Sequence, residues 1–278
     1  LLVGRKTQGR AKKPLLQSVL HLGLYQLFWL DRIPAHAAVH ESVELAKHSG
    51  LQSQAGFVNA ILRGYARELE PTKALLAELK RSEPALGYSH PEWLAARWQA
   101  RWGAESAAQL MEWNNTPPKL FARVNTLKAE PGKLLTQWRE EDVEYDFVRR
   151  DWLEENLVFE LKQHPRLTAL PSFQQGLFYV QDPSTLLAVR ELGVQPGQAV
   201  LDLCAAPGGK LSYIAQLMGN QGRLLAHDTS SERLKLVEEN CARLGVTCAQ
   251  SLLPSTLNAQ SSSPFDCILL DAPCSNTG

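Results

Sequence analysis

The 278-residue chain is long enough for two or three small domains, and its 44% apolar content is that of an ordinary globular protein. Net charge is zero but unevenly spread: residues 1 to 100 carry 13 Lys/Arg against 8 Asp/Glu, and residues 101 to 278 carry 16 against 21. Five cysteines with no CxxC pair exclude a disulfide framework and a structural zinc site, and imply free thiols in a reducing, cytoplasmic compartment.

Arg5, Lys6, Arg10, Lys12 and Lys13 hold the N-terminal basic excess. They form either a phosphate-binding arm or a solvated, frayed terminus. Pro14 fits a first helical position, and Leu16, Val19, Leu20, Leu24, Leu27 and Phe28 then recur at three- and four-residue steps. Gln17, Ser18, His21 and Gln26 interrupt this stretch, which makes it a core helix and not a membrane span. A second helix follows Pro34 and a third carries Val58, Ile61, Leu62 and Tyr65, with Pro71 expected to end the bundle. His36, His40 and Glu44 share a helix face, as a solvent surface or, less readily, as metal ligands, so no metal is expected.

Helices are expected next near Leu75–Lys80, Pro91–Trp102 and Glu105–Asn114, with Trp93, Trp98 and Trp102 as core anchors or, alternatively, base-stacking groups. After Pro117-Pro118, short strands around Leu120–Val124, Val143–Phe147 and Leu157–Leu161 and a helix at Leu134–Glu140 make a small α+β module. From about Arg166, strands at Leu177–Val180, Ala199–Leu203, Arg223–His227, Val246–Gln250 and Cys267–Leu270 alternate with helices, which predicts βαβ units and a parallel sheet.

Asp202-Leu203-Cys204-Ala205-Ala206-Pro207-Gly208-Gly209-Lys210 joins one of these strands to a helix. Small residues let a ligand approach the backbone, and the helix start offers free N–H groups and the positive dipole end. Neither GxGxxG nor the P-loop pattern is present. Asp228, at the end of the next strand, either accepts the hydroxyls of a ribose or caps the following helix, as Ser230 or Ser231 also can. Asp271-Ala272-Pro273-Cys274-Ser275 ends the last strand and sets a thiol after a proline; Cys274 is a site thiol or a bystander.

The stretches Asp202–Lys210 and Asp271–Cys274 resemble the first and fourth motifs of the S-adenosylmethionine-dependent RNA cytosine-C5 methyltransferases. Arg32-Ile33-Pro34, Asn59–Arg63, His90–Trp93, Arg123-Val124-Asn125 and Gln181-Asp182 extend the likeness, in order, to the branch that acts on small-subunit (16S) ribosomal RNA. The resemblance implies a multidomain fold: an all-α NusB-like RNA-binding bundle over residues 1–70, a small α+β linker domain over 71–165, and an α/β Rossmann-like class I methyltransferase domain over 166–278. It further implies S-adenosyl-L-methionine held by Cys204, Ala205, Ala206, Pro207, Gly208, Gly209, Lys210, Asp228 and Asp271. Cys274 becomes the accessory cysteine that assists elimination after methyl transfer to carbon 5.

In the family an attacking cysteine adds to carbon 6 from a Thr-Cys motif, here expected beyond Gly278. The chain as given is therefore expected not to methylate RNA, while its full-length parent does. Two departures stand out: Leu211 follows the lysine, and Gln250-Ser251-Leu252-Leu253 lacks the third-motif Asp that meets adenine. The alternative expectation is an RNA-binding or antitermination factor with a vestigial cofactor fold.

Overall fold

The computed structural model of the protein describes residues 1–252 and 264–273. The chain divides into two compact units, Leu1–Thr116 and Pro117–Gly278. Among the described residues no helix is long and apolar enough to cross a membrane.

In the first unit, α1 (Leu2–Thr7), α2 (Pro14–Trp29), α3 (Ala35–His48) and α4 (Ala55–Arg67) precede α5 (Leu69–Ser82), α6 (Pro84–Gly87) and α7 (Glu92–Asn114). Pro14 opens α2 where its missing N–H costs no helical bond. Leu16, Val19, Leu20, Leu24 and Leu27 of α2 meet Val39 and Ala46 of α3 and Val58, Leu62 and Tyr65 of α4 in one core. At the crossing point, a Cβ on Gly23 would stand 2.6 Å from both Leu62 Cδ1 and Ser42 Oγ.

The basic first residues are not a frayed terminus. Leu2, Val3 and Thr7 are buried, Tyr65 donates to Leu2 O at 2.7 Å, and Lys6 pairs with Glu68 at 2.8 Å. Past the end of α4 at Arg67, Pro71 sits in the first turn of α5, where backbone N–H groups have no helical acceptor. The two helices expected after Pro91 run on as α7 through a break at Gly103, with φ 82° and ψ 164°. Only Trp98 anchors a core here, because Trp93 and Trp102 are 60% and 49% exposed. Trp93 precedes Trp98 by five residues, about 140° around the helix, so the two cannot share a buried face.

Among the described residues the second unit contains two sheets. The smaller is antiparallel, in the order β2-β3-β1-β4, from β1 (Leu120–Val124), β2 (Glu144–Phe147), β3 (Val158–Gln163) and β4 (Phe178–Val180). Trp138 of α8 (Pro131–Glu140) is fully buried and meets the rings of Phe159 and Phe178 edge-on at 5.6 and 5.3 Å. That aromatic core explains one departure from expectation. Leu177–Val180 belongs to this sheet and not to the parallel one, with Phe178 opposite Val124 and Val180 opposite Ala122. The short α9 (Pro171–Gln174) leads into it.

The larger sheet is wholly parallel, in the order β7-β6-β5-β8, from β5 (Ala199–Asp202), β6 (Arg223–His227), β7 (Ala249–Leu252) and β8 (Cys267–Leu269). The helices α10 (Leu186–Leu192), α11 (Gly209–Leu217) and α12 (Ser231–Leu244) contribute Leu186, Leu211, Ile214, Leu234 and Val237 to one core with Val200, Leu224, Ala226 and Leu269. The departure noted after Lys210, Leu211, is thus a core residue. Val246 does not open β7 as expected; past the left-handed Gly245 its N–H closes on Cys241 O at 2.9 Å, ending α12.

The architecture is therefore the expected one: helical bundle, small α+β sheet, then a Rossmann-like sheet. The chain lays β5, β6 and β7 outward in one direction and returns to the other side of β5 with β8. That reversal opens a crevice beyond the carboxyl ends of β5 and β8, the usual ligand position in such sheets.

Candidate cofactor site

The crevice holds a cavity of about 320 Å³. Cys204 and Ala206 line it after β5, Asp228, Thr229 and Arg233 after β6, and Asp271, Ala272 and Pro273 after β8. The loop under it is drawn tight by its own backbone. Cys204 N–H donates to Asp202 Oδ1 at 3.3 Å, Ala205 N–H to His227 O at 2.9 Å and Gly208 N–H to Ala205 O at 2.7 Å. Gly208 takes φ 102° as the N-cap of α11 and supplies no capping side chain, so the first N–H groups of that helix keep their donor capacity.

The other predicted cofactor residues are placed around this cavity rather than on its wall. Ala205 is in the core, and Pro207 O accepts from Asn240 Nδ2 at 2.9 Å. Gly209 was expected to leave room for a ligand. Instead a Cβ there would meet Tyr179 Cε1 at 3.0 Å and Gln181 Nε2 at 3.4 Å, so its smallness admits the small sheet. Lys210 reaches across the crevice and pairs with Asp271. Cys274 lies outside the described residues.

Asp228 is buried with its carboxylate toward the cavity. Its Oδ1 accepts from Ser230 N–H at 3.1 Å and from Arg233 Nη1 at 3.3 Å, and among the described residues no donor reaches Oδ2. Capping of α12 falls to Ser230, whose Oγ accepts from Arg233 N–H at 3.3 Å. Arg233 also donates to Ala206 O at 3.0 Å and so ties the end of β6 to the cradle. Beneath, burial pushes the Asp202 carboxyl up to about 6 against the stabilising Cys204 N–H, and Asp202 Oδ2 has no partner among the described residues. Burial, with the neighbouring carboxylates, also raises the Cys204 thiol above its ordinary value.

Sequence reasoning missed Thr229 as a lining residue and the structural role of Arg123. This arginine is fully buried in β1, donates to Ser212 Oγ at 2.8 Å and Gln216 Oε1 at 3.0 Å, and lies 4.9 Å from the Tyr213 ring. Asn125 Nδ2 likewise reaches Gly176 O at 2.8 Å and Leu244 O at 2.7 Å. A charged residue flanked by the apolar Ala122 and Val124 of a strand was the available signal. On β7, Gln250 is exposed and Leu252 is buried with Leu201 and Leu225, so no acid stands there among the described residues.

A parallel sheet with this reversal, a buried carboxylate after its second strand and an uncapped glycine-led helix define a nucleoside-cofactor fold of the class I methyltransferase type. Three family models match in chain order: the NusB family over residues 5–67, the RsmF/B-like ferredoxin-like domain over 90–163, and 16S rRNA methyltransferase RsmB/F over 189–278. In this order of domains the chain is similar to the 16S rRNA methyltransferase RsmB/F family. A probable ribosomal RNA small subunit methyltransferase B of Bacillus subtilis is 38% identical over 96% of this chain and 59% of its own length. The corresponding Synechocystis protein is 36% identical over 95% of this chain and 59% of its own. The chain thus spans about three fifths of the curated relatives it matches. A solved methyltransferase homolog from Pyrococcus horikoshii aligns with a TM-score of 0.60 at 36% identity, covering 69% of this chain and 62% of that one.

Proposed function

We propose that residues 117–278 hold the S-adenosyl-L-methionine site of an enzyme that methylates carbon 5 of a cytosine in small-subunit (16S) ribosomal RNA. The observation that carries the reading is Asp228, a buried carboxylate whose Oδ2 faces the crevice with no donor among the described residues. An acceptor that opens onto the crevice can take donors from the molecule that fills it, and two vicinal ribose hydroxyls supply them. In this reading Cys204 to Lys210 surround the methionine and ribose portions, and Asp271 stands at the junction with the substrate. Bound S-adenosylmethionine would supply a methyl group made electrophilic by its sulfonium.

The chain's own residues do the positioning. Arg233 bonds Asp228 Oδ1 at 3.3 Å while bracing Ala206. The Lys210–Asp271 pair links the loop after β8 to the start of α11, on opposite sides of the crevice. Cys274, next after Pro273, serves here as the accessory thiol in elimination of the covalent adduct. A single-stranded or flipped cytosine is the required state, since carbons 5 and 6 must both be reached. A reducing cytoplasm suits the free Cys204, Cys241, Cys248 and Cys267. Titration calorimetry of the chain with S-adenosylhomocysteine tests the cofactor half. One-site binding that Asp228→Ala abolishes is expected. RNA binding with no nucleoside uptake would instead favour a vestigial cofactor fold.

A further inference from the structure

Along the cradle loop, the carbonyls of Ala206, Pro207 and Gly209 each accept a side-chain hydrogen bond from the scaffold behind it. Ala206 O accepts from Arg233 Nη2 at 3.0 Å, Pro207 O from Asn240 Nδ2 at 2.9 Å and Gly209 O from Ser212 Oγ at 3.0 Å. Two of these donors are middle links of longer chains. Ser212 Oγ accepts from Arg123 Nη2 of β1 at 2.8 Å while it donates to Gly209 O. Asn240 Oδ1 accepts from Arg243 Nη2 at 3.2 Å, and Arg243 Nη1 reaches on to Phe173 O at 2.9 Å and Phe178 O at 3.3 Å. Two relays therefore join the small sheet to the loop: Arg123–Ser212–Gly209, and Phe178–Arg243–Asn240–Pro207. A hydroxyl gives one bond as it takes another, and an amide uses its oxygen and nitrogen separately, so donor and acceptor senses agree along both.

The relays are tightly packed. Arg123 and Ser212 are buried, and the Arg243 guanidinium lies 4.1 Å from the centre of the Phe173 ring. A Cβ on Gly176, just before β4, would stand 1.9 Å from Arg243 O, so the chain there presses directly on the end of α12. At the loop, a Cβ on Gly208 would meet Asn240 Cβ at 3.8 Å. In a trans peptide the C=O and the following N–H point opposite ways. Drawing Gly209 O back to Ser212 thus aims Lys210 N–H out of the open start of α11. Asn125 offers a contrast. It ties the same two sheets through Gly176 O and Leu244 O, and among the described residues it makes no bond to the loop.

We propose that Ser212 and Asn240 are positioning residues of the cofactor site, each fixing one carbonyl of the cradle loop against the small sheet. The proposal rests on the reading of the crevice as a nucleoside site, and it makes the small sheet part of that site's machinery. Neither residue lines the cavity. They act through Pro207 and Gly209, holding the loop and the start of α11 in one geometry before the ligand arrives, which lowers the ordering cost of binding.

Hydrogen exchange and titration calorimetry on the full chain test it. Asn240→Asp keeps the acceptor for Arg243 and removes the donor to Pro207 O. Ser212→Ala removes the link to Gly209 O. Asn125→Ala cuts the other tie between the sheets and leaves both relays in place. The peptide Cys204–Lys210 carries the internally bonded N–H groups of Cys204, Ala205 and Gly208. Without nucleoside, its amide exchange is expected to quicken about threefold to tenfold in the two relay variants, and the S-adenosylhomocysteine Kd to rise by about the same factor. Asn125→Ala is expected to lower the melting temperature and change neither. Unchanged loop exchange in the relay variants, an equal effect of Asn125→Ala, or faster exchange with unaltered affinity overturns the proposal. If the parent chain itself takes up no S-adenosylhomocysteine, the cofactor assignment fails on that result alone, while the exchange rates still decide whether the relays hold the loop.

Discussion

Arg123 in β1 donates to Ser212 Oγ on α11 at 2.8 Å, and through that bond the small sheet grips the helix that forms the cofactor cradle. Burial lowers the Arg123 pKa to about 10, so it stays protonated at neutral pH, and no salt bridge forms on it among the described residues. Its charge is compensated by Ser212, Gln216 and the faces of Tyr213 and Tyr179. An ammonium is more strongly hydrated and lacks the planar fork. Arg123→Lys is therefore expected to cost about 3 kcal/mol of unfolding free energy and Arg123→Met about 1–2 kcal/mol. Urea denaturation of the two variants checks the order, and a lysine variant as stable as the parent would refute it.

Asp202 gives a pH signature. Its carboxyl titrates at about 6 in the fold, against an ordinary value of 3.8, mainly because it is buried. A raised acid pKa means the native state binds more protons than the unfolded chain between about pH 4 and 6. The penalty of the buried charge is fully present above pH 6 and is relieved as pH falls to 4. The stability difference between the parent and Asp202→Asn is expected to shift by roughly 2–3 kcal/mol in favour of the parent from pH 7.5 to pH 4. Parallel denaturation series at the two pH values measure it, and a pH-independent difference would sink the assignment.

The sequence was most legible where one rule acted alone. Pro14 and the three- and four-residue apolar spacing suffice for α2, and small residues between a strand and a helix suffice for the crevice. It was less legible where two contexts competed. Phe178–Val180 has the same alternation in either sheet, and the Trp138 core decided its partner. Gly209 reads equally as ligand clearance or packing clearance, a choice made by Tyr179 from a different sheet. The tryptophans of α7 obey helical spacing only if the face is followed residue by residue. Leu2 and Val3 look like part of a charged tail until Tyr65, some sixty residues on, supplies their anchor.

Asp228 and Ser230 should separate binding from stability. Ser230 caps α12, so Ser230→Ala is expected to lower unfolding free energy by about 1 kcal/mol and leave S-adenosylhomocysteine affinity unchanged. Asp228→Asn leaves that cap in place but removes a charged acceptor. It is expected to raise the nucleoside Kd roughly tenfold to a hundredfold, the equivalent of about 1.5–3 kcal/mol. Calorimetry and thermal melts on both variants give the two readouts. If Ser230→Ala weakened the nucleoside as much as Asp228→Asn, the carboxylate would be structural.

Gly23 tests the helical unit without touching the candidate site. A methyl group there would lie 2.6 Å from both Leu62 Cδ1 and Ser42 Oγ. Ser42 is buried and its hydroxyl already donates to Ala38 O at 2.7 Å, so it cannot turn away without breaking that bond. Alanine normally favours a helix interior over glycine by about 1 kcal/mol, which opposes the clash. Overpacking of a close-packed core costs about 1–3 kcal/mol, and two simultaneous clashes put this site at the upper end. Gly23→Ala is thus expected to be net destabilising by about 1–2 kcal/mol, whereas Gly56→Ala on α4, where a Cβ meets nothing within 4 Å, is expected to be neutral or stabilising. Thermal melts of the two variants decide it, and a Gly23→Ala protein melting at or above the parent would mean that α2 and α4 do not cross this closely.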